Sequence, residues 1–269
     1  MAEEIKKPTA ETAPDEKHVV KMWTPFNIKV DETYKFVPEN KAFIHFSNGF
    51  KAVAVRLLKV FNKIVFNLKI EGRENLEPLK GKGYITVCNH VNLMDCGMVA
   101  TAVGRSDMIF TTIKENFEIP LVRLLVKALG GIPIPRSVKA LEKFSEAVGT
   151  LLERGHVVHF YPEAVLVPRY NGLRGFRRGA FSYAAKYNAP VVPMIITFSE
   201  PEKKGLQRKP TPTIHILPPV YPNDSLTERE RSNKMKKEVF DSMEKKFEST
   251  DCLKDNTEVI KKYGLDENK

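Results

Sequence analysis

The spacing of apolar residues along this chain changes once, near residue 66. Before that point Phe43, Phe46, Phe50, Val53, Leu57, Val60 and Ile64 recur at alternating intervals of three and four. This spacing predicts a helix over 41–66 with those side chains on one face. Lys51, Arg56, Lys59 and Lys63 fall off the stripe. After residue 66 the apolar runs are short and rich in β-branched residues: "FNLKIEG", "YITVC", "MIFTT", "HVVHFY", "VVPMIITF" and "TIHILPPV" read as strands, and "GIPIPR" as an extended segment held by its prolines. Between them "DCGMVATAV", "FEIPLVRLLVKAL", residues 138–153 and "FRRGAFSYAAKY" read as helices. Strands alternating with helices predict an α/β fold, with a mostly parallel central sheet flanked by helices and an N-terminal amphipathic helix.

The flanks differ from this middle. Residues 1–40 are rich in Lys, Glu, Pro and Thr and are expected to be disordered or extended. Residues 41–66 form the amphipathic helix and 67–222 the α/β domain. Residues 223–269 form a charged helix and tail, with a capping-box pattern from Ser225 to Glu228 and an exposed face in water. Two readings of the helix at 41–66 stand side by side. It lies in the interface of an anionic membrane, or it packs on a sheet with its lysines in water. Amphipathicity alone does not separate them.

Composition narrows the partners. Lys and Arg number 43 against 33 Asp and Glu, a formal charge of +10. That surplus favours anionic partners. The three cysteines, Cys88, Cys96 and Cys252, form no Cys-x-x-Cys pair, which fits a reduced cytosolic setting. The N-terminus has no apolar core of a secretory signal. No apolar run reaches the roughly 18 residues that cross a bilayer. A peripheral position on the cytoplasmic face of a membrane is therefore expected.

The candidate chemistry lies in "VCNHVNLMD". The strand "YITVC" delivers Asn89 and His90 to the sheet edge where α/β active sites gather. Asp95 falls in the first turn of the next helix, whose dipole favours the carboxylate. "VNLM" is long enough to turn the chain back, so Asp95 can bond one ring nitrogen of His90 and leave the other as a proton acceptor. This is a serine-protease triad without its nucleophile, so the substrate is expected to supply a hydroxyl.

"NHVNLMD" resembles the asparagine, histidine, four residues, aspartate motif of the lysophospholipid and glycerolipid acyltransferases, the 1-acylglycerol-3-phosphate acyltransferase family. The likeness continues in order through "IEGRENLEP", Lys114 in "TTIKENFEIP", "GGIPIPR" with Arg136, "FYPEA" with Glu163, and "FRRGAFSYAAKYNAPVVPMII", covering residues 68–200. The resemblance implies acyl transfer from acyl-CoA or acyl carrier protein to the hydroxyl of a lysolipid. His90 would be the base and Asp95 its orienting partner. Asn89, Lys114, Arg136, Glu163 and Arg169 would lie on the substrate side, with Arg136 on the acceptor's phosphate. No cofactor or metal is implied, since a thioester is already activated. One departure stands out: the family's third motif runs glutamate, glycine, threonine, arginine, whereas here Glu163 precedes Ala164, Val165 and Leu166. Arg169 is a candidate replacement, with Arg174, Arg177 and Arg178 nearby. Glu163 could instead be a strand-end carboxylate paired with an arginine. The change leaves room for another lysolipid, for a different hydroxyl or amine acceptor, or for an idle lipid-binding relative.

Other chemistries fit poorly. His156 and His159 are the only close histidine pair, and residues three apart on a strand face opposite ways. No Gly-x-Ser-x-Gly elbow and no phosphate-binding loop occurs. Nucleic acid is not expected as a partner, because no recognised module accompanies the positive charge.

Overall fold

The computed structural model describes residues 27–39, 41–201 and 210–264; the N-terminal expectation for residues 1–26 lies outside the described residues. Among the described residues seven strands form one sheet: β1 (Lys69–Glu71), β2 (Tyr84–Cys88), β3 (Met108–Thr112), β4 (Gly131–Pro133), β5 (Val157–Phe160), β6 (Val191–Ser199) and β7 (Thr211–Ile216). Their order is β1-β7-β6-β2-β5-β3-β4. Strands β6, β2, β5, β3 and β4 are mutually parallel, and β7 runs antiparallel to β6. The helices are α1 (Lys41–Phe66), α2 (Asp95–Val103), α3 (Pro120–Ala128), α4 (Val138–Glu153), α5 (Gly179–Lys186), α6 (Glu228–Ser249) and α7 (Thr257–Tyr263).

The central strands are buried on both faces, so their apolar runs are continuous. The two-residue period still sorts their side chains. Ile85, Val87, Val158, Phe160 and Ile195 join α4, α5 and α6 in one core. Tyr84, Cys88, Val157, Val192 and Met194 join α2 in a second core on the opposite face. Ser137 caps α4 by accepting from the Ala140 amide at 3.3 Å. The capping box of α6 lies two residues later than the sequence pattern suggested. Thr227 is the N-cap, and its amide donates to Glu230 at 3.0 Å.

The flanks add to the first core. Phe36 is buried with its ring 5.4 Å from that of Phe144, and Val30, Tyr34 and Val37 pack beside it. Helix α6, charged though it is, buries Met235, Val239 and Met243.

Helix α1 rests on α2 and α3, but not with its apolar stripe. Phe46, Phe50, Val53, Leu57, Val60 and Ile64 are exposed, Ile64 to 71%. The inward face carries Ser47, Lys51 and Asn62, all buried. The Ser47 hydroxyl donates to the Ala128 carbonyl at 2.9 Å, and Asn62 Nδ2 to the Gly97 carbonyl at 3.0 Å and Thr101 Oγ1 at 2.8 Å. Gly97 lets the helices approach, since a Cβ there would lie 3.2 Å from Leu58 Cδ2. The reading of a helix packed by its stripe is thus overturned; of the cations expected in water Lys51 is buried, whereas Arg56, Lys59 and Lys63 are exposed. Hydrogen bonds and close backbone packing hold α1 down.

If α6 is part of the fold rather than an appendage, truncating a core side chain on it destabilises the whole domain. Met243→Ala is expected to cost about 2–5 kcal/mol in urea unfolding, within one cooperative transition. A change below about 0.5 kcal/mol would contradict this.

Candidate active site

Strand β2 ends at Cys88, and the chain then reverses over Asn89–Met94 into α2. Asp95, the first residue of α2, is fully buried beneath the reversal. Its Oδ2 accepts from the Val91 amide at 2.7 Å and the Asn92 amide at 2.9 Å, and meets His90 Nδ1 at 3.0 Å. An oxygen already accepting two amide protons acts as an acceptor here too. The ring therefore donates through Nδ1, which leaves Nε2 as its proton-accepting atom. Burial raises the Asp95 pKa, while the His90 contact and the two amides work against that rise. Asn92 braces the turn, its Oδ1 accepting from the Met94 amide at 2.9 Å. The His90 side chain keeps 22% of its surface exposed.

A second layer holds the histidine from behind. The Tyr161 ring stacks on His90, centroids 3.9 Å apart and planes 13° from parallel. Glu163, a fully buried side chain, accepts the His90 amide at 3.2 Å. Its carboxylate also takes the Arg174 amide at 3.1 Å and Arg174 Nη2 at 2.6 Å. Burial raises the Glu163 pKa, and the Arg174 charge opposes this. Arg174 also donates to the Val165 carbonyl. The loop after Glu163 is stitched to the histidine's own backbone: the Val167 amide bonds the His90 carbonyl at 3.0 Å, and the Arg169 amide the Val91 carbonyl at 2.8 Å.

Two residues expected on the substrate side are used inside the protein. Asn89 is fully buried; its Oδ1 accepts the Ile196 amide at 2.8 Å and its Nδ2 donates to the Ile196 carbonyl at 3.0 Å. It acts as a side-chain rung that extends β2 against β6 past the end of the strand. Glu163 takes the strand-end role, and the arginine it pairs with is Arg174. Lys114, Arg136 and Arg169 do lie on the edge where the parallel strands end, after β3, β4 and β5. Lys114 pairs with Glu118 at 3.0 Å and donates to Asn27 at 3.0 Å. Arg136 pairs with Glu115 at 2.8 Å while 75% exposed. His156, just before β5, and His159, within it, diverge: His156 Nδ1 lies 3.0 Å from the Asp107 carbonyl, and His159 Nδ1 lies 2.8 Å from the Thr86 hydroxyl.

Residues 67–197 match the protein family described as Acyltransferase. The chain is 32% identical over 138 residues to chloroplastic 1-acyl-sn-glycerol-3-phosphate acyltransferase LPAT1 of Arabidopsis thaliana, covering 49% of this chain and 36% of that one. It is 28% identical over 180 residues to 1-acyl-sn-glycerol-3-phosphate acyltransferase alpha of Homo sapiens, covering 64% and 62%. The chain thus spans from about a third to under two thirds of the length of these relatives. The crystal structure of the 1-acyl-sn-glycerophosphate acyltransferase PlsC from Thermotoga maritima superposes with a TM-score of 0.56 at 22% identity, over 79% of this chain and 83% of that one, and so has a similar fold. Residues 67–197 are an acyltransferase-family domain.

Within this acyltransferase domain the altered third motif has a geometry. Ala164 stands where the family motif carries glycine, and its φ is 64°. A residue with a Cβ holds this left-handed conformation at a cost of about 1–2 kcal/mol. Sequence reasoning missed Tyr161, whose position two residues after β5's His159 was its only signal. It also missed the depth of His159, which is fully buried 4.5 Å from the Tyr161 ring. Burial, with a smaller contribution from His90, depresses the His159 pKa to about 3.

That depression fixes a pH dependence. Between pH 3 and the ordinary histidine value of 6.5 the unfolded chain binds a proton at His159 that the fold does not. Stability at this site is therefore complete above 6.5 and falls as pH drops, by about 1.4 kcal/mol per pH unit. His159→Gln is expected to flatten the slope of unfolding free energy against pH by about that much below 6.5. An unchanged slope would contradict the depressed value.

Proposed function

We propose that this chain is an O-acyltransferase, moving a fatty acyl group from acyl-CoA or acyl carrier protein to the hydroxyl of a lysophospholipid such as 1-acylglycerol-3-phosphate. The observation that carries this reading is the fixed His90–Asp95 pair with Nε2 turned from the carboxylate. Nε2 takes the proton of the acceptor hydroxyl as its oxygen attacks the thioester carbonyl. The tetrahedral adduct collapses and breaks the carbon–sulfur bond. The departing thiolate then recovers the proton from the imidazolium, which Asp95 stabilises meanwhile. The acceptor is the nucleophile, so the protein needs none of its own. Relatives named as 1-acyl-sn-glycerol-3-phosphate acyltransferases support this acceptor class. Arg136 and Arg169 are exposed near the same edge and suit a phosphate headgroup. Ala164–Leu166, in place of the usual third motif, favours a second reading in which another lysolipid, hydroxyl or amine is acylated. No cofactor is needed in either case.

The reading includes a peripheral membrane position on the cytoplasmic face. Among the described residues no helix is long and apolar enough to cross a membrane. The outer face of α1 supports surface binding instead: a continuous apolar stripe in water, flanked by exposed Arg56, Lys59 and Lys63. Each such cation contributes about 1 kcal/mol at an anionic surface. Leu93, inside the His90–Asp95 turn, is 67% exposed and carries the apolar surface to the reactive edge.

Purified protein incubated with labelled acyl-CoA or acyl carrier protein and a panel of lysolipids is expected to transfer the label. His90→Ala should lower the rate by about 10²- to 10⁴-fold. Lipid binding without transfer from either donor would refute the enzyme. Replacing Phe46, Phe50 and Leu57 together with serine is expected to weaken sedimentation with anionic vesicles while leaving the domain folded. Unchanged sedimentation would refute the membrane role of α1.

A further inference from the structure

The opposite edge of the sheet, where β3, β4 and β5 begin, holds a cavity of about 450 Å³. Ile109 of β3, Ile132 of β4, Leu151 of α4 and Phe36 form its apolar walls. Lys51 enters from the inward face of α1, and Lys127, Arg154 and His156 also line the cavity. Lys51 is 6% exposed, and among the described residues its ammonium has no hydrogen-bond or ion-pair partner. Burial pulls its pKa down, with only the charge of Asp107 acting in the other direction. Asp107 is itself engaged by Arg105 and lies 3.8 Å from His156. Lys35, also at this cavity, is paired with Glu39 at 2.7 Å. The backbone is shaped to admit the lysine. Gly130 has φ +82°, and a Cβ there would lie 2.8 Å from the Met108 carbonyl and 3.4 Å from Lys51 Nζ.

Most of the Lys51 side chain is taken out of water, and its ammonium, with no partner among the described residues, is left to face the cavity. A cavity of this size with apolar walls and a few convergent polar groups has the form of a small-molecule site. We propose that this cavity is a binding site for a small amphiphilic anion, with a phosphate or carboxylate head on the Lys51 ammonium and a short hydrocarbon body against Phe36, Ile109, Ile132 and Leu151. Lys127 and Arg154, both exposed at the rim, draw the anion in. The site is separate from the His90 edge, at the other end of the same parallel strands. It holds whether or not the chain transfers acyl groups.

The test is calorimetric titration of the full chain with hexyl phosphate, hexanoate and inorganic phosphate. Hexyl phosphate, hexanoate or both are expected to bind with one-to-one stoichiometry and more tightly than inorganic phosphate; which of the two binds identifies the head. Lys51→Met is expected to weaken that binding by about tenfold or more, and His90→Ala to leave it unchanged. Binding of none of the probes would overturn the site. Equal affinity for inorganic phosphate and the two amphiphiles would overturn its apolar half. Binding lost in His90→Ala but kept in Lys51→Met would move the ligand to the catalytic edge and overturn the proposal. Should Lys51→Met not fold, acetic anhydride labelling of the unaltered protein decides. The bound anion is expected to slow acetylation of Lys51, and an unchanged rate overturns the assignment.

Discussion

One carboxylate oxygen organises this molecule. Asp95 Oδ2 gathers two backbone amides and an imidazole within 3.0 Å, and it does so fully buried. Removing a carboxylate from water is expensive, and the three donors are what offset the cost. They are also what close the turn, because Val91 and Asn92 reach the oxygen only when the chain doubles back after β2. The same oxygen thus fixes the loop and the tautomer of His90. Helix α2 must begin at Asp95 for this to work. Its position is set in turn by α1, through the Asn62 bonds to Gly97 and Thr101.

Around that centre, polar groups are arranged in two concentric duties. His90 and Asp95 form the hydrogen-bonded pair at the centre. Asn89, Tyr161, Glu163 and Arg174 hold His90. The third motif shows the division most clearly. Glu163 bonds the histidine's own amide, and its negative charge is answered by Arg174 arriving from eleven residues on. With that arginine turned inward, Arg136 and Arg169 stay exposed at the edge where the parallel strands end. The altered motif therefore leaves the His90–Asp95 contact intact.

The strands and the helices α2 and α4 were legible in the sequence because their signals are local. The strands are short β-branched runs, β1 ending just before Gly72, and α4 opens at a serine cap. The His90–Asp95 pair was legible because strand, turn and helix occur in immediate succession. What the sequence did not give depends on contacts distant along the chain. Amphipathicity marks a stripe on α1 but not which face meets the protein, and here the polar face does so through Ser47, Lys51 and Asn62. Which arginine answers Glu163 depends on the left-handed turns at Ala164 and Arg169, neither of which is a glycine. The stack of Tyr161 on His90 joins β5 to the end of β2, a pairing visible only once the sheet order is known.

The account rests on Nδ1 of His90 carrying the proton given to Asp95, with Nε2 open. Long-range ¹⁵N–¹H correlation spectra of the histidine rings measure this directly. For His90 the account predicts a neutral ring protonated at Nδ1, a pattern that changes when Asp95 is replaced by alanine. A His90 ring protonated at Nε2, or one indifferent to the loss of Asp95, would contradict it.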